Sequence, residues 1–109
     1  MSWVPFDNGK TIDSKGSEGG TILFDEEHLN GARVSLEENC YNAPYTITIG
    51  IYGVMFHTDF HDDLKTAKLK YELLKHKIEL VLNHLAIDEE KRKEDWNTLL
   101  NNMLDDLLN

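Results

Sequence analysis

The change of hydrophobic period near residue 60 constrains this chain more than any other feature. In "NAPYTITIGIYGVMFHT", Tyr45, Ile47, Ile49, Ile51 and Met55 alternate with Thr46, Thr48, Tyr52, Val54 and Phe56. A period of two is that of a β-strand, whose successive side chains point to opposite faces. The first half of the run has one apolar and one threonine face, and the second half is apolar on both. Gly50 and Gly53 interrupt it, which fits one long bent strand or two consecutive strands in the centre of a sheet. From Asp62 onward the period is helical. Leu64, Ala67, Tyr71, Leu74, Ile78, Val81 and Leu85 recur at steps of three and four, as one helical face requires.

Earlier segments add strand and turn signals. "WVPFDNGKTI" sets Asn8-Gly9 between two short apolar pieces and predicts a hairpin, because Asn-Gly accepts the positive φ of a type I′ turn. Pro5 lacks an N–H, which puts its segment at a sheet edge or outside the sheet. "SKGSEGG" reads as a flexible connection. Ile22 and Phe24 are expected on one face of a short strand. In the next strand Ala32, Val34 and Leu36 are expected on one face, with Arg33, Ser35 and Glu37 on the other. The polar "DEEHLNG" between them predicts a loop longer than a minimal hairpin.

In the helical half, Asp62 is the expected N-cap, with Asp63 favouring the first turn through the helix dipole. A second stripe, Leu69, Leu73, Leu80 and Ile87, falls opposite the first. A second helix, capped by Asp88 and carrying Glu89 and Glu90 in its first turn, presents Trp96, Leu99, Leu100, Met103, Leu104, Leu107 and Leu108. The turn between the helices is expected to be tight, or the helices nearly continuous. Leu69, Leu73, Leu80, Trp96, Leu100, Met103 and Leu107 exceed what two helices can cover in one another, and predict the interface of a homodimer.

The 109 residues are expected to form a single α+β domain. An antiparallel sheet of about four or five strands occupies residues 1–58, and two helices span residues 62–108, packed on one face of it. The net charge is −9, shared as −5 over residues 1–58 and −4 over residues 59–109. Such a chain repels nucleic-acid phosphates and anionic lipid, and favours a basic protein partner. The single cysteine, Cys40, excludes an intramolecular disulfide and suits a reducing compartment. The N-terminus lacks a signal-peptide pattern, and the longest apolar run is too short to cross a bilayer. A cytoplasmic location is expected.

The residues with chemical potential cluster in "HTDFHDD". On a strand, His57, Asp59 and His61 point the same way and offer a three-ligand face to a divalent metal. No helical pair of histidines with an intervening glutamate accompanies them. The simpler reading makes His57 a strand end, Asp59 a loop residue and Asp62 a helix cap. Cys40 stands in acidic "EENCYNAP", an environment that raises a thiol pKa and disfavours a nucleophile. His76 and His84 flank the second helical stripe and would border an interface there.

The matching motifs Gly31-Ala32-Arg33, Leu36-Glu37, Ala43-Pro44-Tyr45, Gly50-Ile51-Tyr52-Gly53, His57-Thr58 and Tyr71-Glu72 resemble the central segment of a family of small uncharacterised bacterial proteins. The resemblance implies a compact bacterial cytoplasmic domain and transfers no catalytic residue. The leading expectation is a non-enzymatic protein-interaction module, a homodimer without a cofactor, with an immunity-type protein that meets a basic partner as its analogue. The competing expectation is a small metal-dependent enzyme built on His57, Asp59 and His61.

Overall fold

The computed structural model describes residues 2–109. Among the described residues, five strands form one antiparallel sheet in the order β1-β2-β3-β4-β5: β1 (Trp3–Pro5), β2 (Thr21–His28), β3 (Ala32–Glu38), β4 (Tyr45–Ile51) and β5 (Met55–His61). Two helices follow, α1 (Leu64–Leu85) and α2 (Trp96–Leu108). The fold is α+β, as the change of period predicts. It condenses into two compact units, one ending at Glu72 and one running from Leu73 to Asn109.

The first unit is built on alternation. Ala32, Val34 and Leu36 pair across the β3–β4 ladder with Ile51, Ile49 and Ile47, and all six are essentially without solvent exposure. Burying each of the five larger side chains contributes about 1.5–3 kcal/mol, so a one-residue slip, which would turn the three of the slipped strand outward, is strongly disfavoured. Ala67 and Tyr71 on the first turns of α1 are buried as well. The Tyr71 hydroxyl donates to Glu26 Oε1 at 2.8 Å, which ties this end of the helix to β2.

The alternating run of residues 45–56 resolves into two strands. Residues 52–54 turn the chain, with Gly53 at φ +75° in the left-handed region that glycine enters without steric cost. β5 continues to His61, beyond the expected end of the β-region at residue 58, because it pairs with β4 as far as Tyr45↔His61.

Four local expectations are corrected. Asn8-Gly9 makes no hairpin: Asp7, Asn8 and Gly9 all have positive φ, and β1 pairs with β2 instead. Ile22 and Phe24 do not share a face. A bulge between them sets Ile22 opposite Glu37 and Phe24 opposite Leu36, and the extra residue switches sides. "DEEH" is strand rather than loop, so β2 and β3 are joined by a short turn at residues 29–31, closed by the Asn30 amide donating to His28 Nδ1 at 3.0 Å. The cap of α1 is Asp63, not Asp62. Its Oδ1 accepts from the Thr66 amide at 2.8 Å and its Oδ2 from the Thr66 hydroxyl at 2.9 Å.

In the second unit the helix connection is longer than expected. Residues 86–95 contain only a 3-10 turn, Glu89–Lys91, so Asp88 caps no long helix and α2 starts at Trp96. Arg92 holds the end of α1 and the chain just beyond it, donating from Nη2 to the Leu85 carbonyl at 3.4 Å and from Nε to the Ile87 carbonyl at 3.0 Å. α2 then returns antiparallel to this half of α1. Trp96 stacks on His84 with ring centres 4.9 Å apart, while Lys77 Nζ lies 3.3 Å from Asp106 Oδ2.

Candidate functional site

Strand register divides the sheet residues between two faces. Glu26, Val34 and Ile49 lie on the face that meets Tyr71. The other face carries Ile22 beside Glu37, then the row Asp25–Ser35–Thr48–Thr58, then the row Glu27–Arg33–Gly50–Phe56. Over this second face opens a cavity of about 850 Å³. Its floor includes Arg33, Ser35, Thr48 and Gly50, one wall is the segment around Lys15, and the other is the β4–β5 turn with Val54 and Phe56.

The wall around Lys15 is held by a long-range interaction. Glu37 is 1% exposed, and its Oε1 accepts from the amides of Glu18 and Gly20, each at 3.2 Å. Charge-assisted bonds of this kind are the stronger class, and they offset the cost of burying the carboxylate. Gly16 passes so close that a Cβ there would lie 2.2 Å from Glu37 Cδ, so any side chain at this position must displace the Glu37 carboxyl. On the outer side, Asp13 donates to the Ile22 carbonyl and Ile22 to the Ser14 carbonyl, both at 2.9 Å. The segment thereby covers the edge of β2 that β1 leaves open.

The charged groups on the floor of the cavity are already engaged, while Lys15 on the wall has its Nζ 5.7 Å from the Tyr41 ring centre. Arg33 forms a two-point pair with Asp25, whose side chain has no solvent exposure, and Thr11 Oγ1 donates to the same carboxylate at 2.8 Å. The bond to Asp25 raises the Arg33 pKa further, so the guanidinium stays charged. Its flat face lies 3.5 Å from the Phe6 ring centre, a cation–π contact. Tyr52 donates to Glu27 at 2.5 Å, and burial, then that bond, pushes its phenol up to about 12. Thr48 differs: its Oγ1 is buried and has no hydrogen-bond partner among the described residues.

His57, Asp59 and His61 all fall on β5, on the face opposite the cavity. His61 Nε2 lies 2.7 Å from Asp59 Oδ2, and among the described residues no group of three or more His, Cys, Asp and Glu is placed to hold a metal ion. Burial pushes the Cys40 thiol up, away from the reactive thiolate. Of the expected interface residues, Leu69, Leu73 and Leu80 are exposed, Trp96, Leu100 and Met103 are half-buried, and Leu107 is buried within the chain. His84 is buried, and its Nε2 lies 2.8 Å from the Trp96 carbonyl oxygen. No described helix is long and apolar enough to cross a membrane.

Sequence reasoning did not assemble the cavity. Its signals were the hydroxyl-bearing face of β3 and β4 and the lone Gly50, which read as a solvated strand face until the segment around Lys15 is folded over them. No protein-family model, curated protein or solved structure matches the chain.

Proposed function

We propose that this protein is a non-enzymatic interaction module that works as a homodimer, with β5 of one copy laid antiparallel against β5 of the other. The observation that carries this reading is the contrast between the two edges of the sheet. The β1 side is short, ends in Pro5, and is extended by the segment bonded to Ile22. Such features blunt an edge against further pairing. β5 has seven residues, no Pro and no Lys, and among the described strands it pairs with β4 alone. Phe56 and Phe60 are 71% and 50% exposed on one of its faces.

The sequence of β5 also suits a second copy. With a two-fold axis at Thr58, antiparallel pairing sets Phe56 opposite Phe60 on one face and His57 opposite Asp59 on the other, each twice. An aromatic cross-strand pair contributes roughly 0.2–1 kcal/mol beyond the backbone bonds, and an imidazole opposite a carboxylate can hydrogen-bond to it. The net charge of −9 favours a basic protein as any further partner of the dimer.

Sedimentation at about micromolar concentration, in the range typical of specific association, tests the reading. Twice the chain mass of 12.6 kDa is expected, and Phe60→Lys should give a monomer while Leu73→Lys remains dimeric. The reverse pattern would move the seam to the exposed leucines of α1. A monomeric wild-type chain would overturn the homodimer.

A further inference from the structure

We propose that the cavity over the outer face of the sheet binds a small, uncharged amphipathic molecule, with an apolar body against Ile22, Val54, Met55 and Phe56 and a neutral polar head on the Thr48 hydroxyl. This does not depend on the homodimer. A volume of about 850 Å³ lies within the usual span of sites for small organic ligands, which are mostly apolar with a few placed polar groups.

The head group follows from what is left unsatisfied. A buried hydroxyl without a partner costs free energy that a complementary ligand atom recovers. Thr48 Oγ1 is such a group, turned away from solvent. Because Thr48 lines the cavity, rotation about χ1, which exchanges the hydroxyl and methyl positions, would bring it to a ligand, and Ser35, its cross-strand neighbour, brings a second hydroxyl to the same floor. The charges on the floor do not ask for a counter-ion, and Lys15, the lining cation on the wall, lies over the Tyr41 ring. Arg33 is matched by Asp25, and Glu37 is occupied by two backbone amides. A charged head would lose water on entering and gain no free opposite charge on the floor. A hydroxyl or an amide, able to donate and accept, fits both Thr48 and Ser35.

Gly50 supplies the room for the body. It stands opposite Phe56, and a Cβ added there meets Met55 O and Phe56 Cδ2 at 3.9 Å, which is ordinary contact. A larger side chain at this position therefore fits the backbone and projects into the cavity.

The test uses three probes of one shape: 2-(1-naphthyl)ethanol, 1-naphthylacetate and 2-(1-naphthyl)ethylammonium. Binding is read by NMR of the Ile22, Thr48 and Met55 methyl groups. Saturable shifts with the alcohol are expected at roughly 0.1–1 mM, as the efficiency of small ligands allows, with both charged probes weaker. Gly50→Val should abolish the shifts. Thr48→Val, which keeps the shape of the side chain and guards against a Gly50 variant that fails to fold, should weaken the alcohol about fivefold to tenfold. Absence of binding by all three probes, or full binding in well-folded Gly50→Val, would overturn the site. A charged probe that binds best, or a Thr48→Val variant that binds the alcohol as well as wild type, would overturn the assigned head group.

Discussion

Arg33 grips both oxygens of Asp25, Nε to Oδ1 at 2.9 Å and Nη2 to Oδ2 at 2.7 Å. The carboxylate is wholly buried and the guanidinium about a third exposed, so the two members are unequal. Removing the carboxylate leaves a cation that reaches water, whereas removing the guanidinium strands an anion inside. Arg33→Ala is therefore expected to lose about 3 kcal/mol, the lower part of the range for breaking a buried pair, and more than Asp25→Ala with Arg33 retained. Arg33→Lys should fall between, because an ammonium cannot make the two-point contact. Urea denaturation of the three variants checks the order.

The segment bonded to Glu37 should respond as one piece. Glu37→Gln keeps the shape and removes the charge that strengthens the bonds to the amides of Glu18 and Gly20, an expected loss of about 1–2 kcal/mol. Gly16→Ala should reach the same end from the other side, by pushing the carboxyl away. Hydrogen exchange at the Gly20 amide is expected to accelerate in both variants, with little change at Ile49 in the β3–β4 ladder. Uniform acceleration across the sheet would show that the segment does not open independently.

Asp63 sets a pH dependence. The Thr66 amide, then the Thr66 hydroxyl, holds its carboxyl below the ordinary value of 3.8. A folded-state pKa lower than the unfolded one means that the charged form favours folding. The contribution is complete above the unfolded pKa and disappears as pH falls through the folded one. Asp63→Ala should lower Tm at about pH 6, and the difference from wild type should vanish as pH drops below the ordinary carboxylate range. A difference that persists unchanged in acid would mean that Asp63 acts by shape alone.

Two phenols set the alkaline limit. The Tyr52 value is raised from 10.0 to about 12, and burial, then the bond to Glu26, raises Tyr71 further still. Both shifts favour the protonated form in the fold, so stability is held below the unfolded value near 10 and declines as pH rises above it. Ultraviolet titration should show phenolate from these two appearing late or together with unfolding. Tyr71→Phe should unfold at a less alkaline pH than wild type only if loss of the Glu26 bond outweighs removal of the titrating group, and comparison with Tyr52→Phe separates the two effects.

The parts of the fold that could be read from sequence are those whose stability is local in pattern. Ala32, Val34 and Leu36, and Ile47, Ile49 and Ile51, alternate because one face of each strand is buried, and the alternation is visible without knowing what buries it. β2 shows the opposite case. Asp25, Glu26 and Glu27 look like loop, yet each is fixed in the strand by a distant partner: Arg33, Tyr71 and Tyr52. Nothing in the tripeptide announces those partners. The bulge between Ile22 and Phe24 is likewise a consequence of pairing with β3. His57, Asp59 and His61 were legible as one face of a strand. Their distances and the cavity behind them were not, since the cavity exists only where the segment around Lys15 crosses the sheet and binds Glu37.

The blunted β1 edge and the bare β5 edge give the sheet a valence of one. A sheet with two open edges can add copies without end, as fibrils do. In the proposed dimer, the addition of one copy through β5 would use up the open edge of both, and what then stands outermost on each side is Pro5 and the segment bonded to Ile22. Growth of that assembly would stop at the pair, and its closure around a two-fold axis would depend on a three-residue strand at the opposite edge of the sheet.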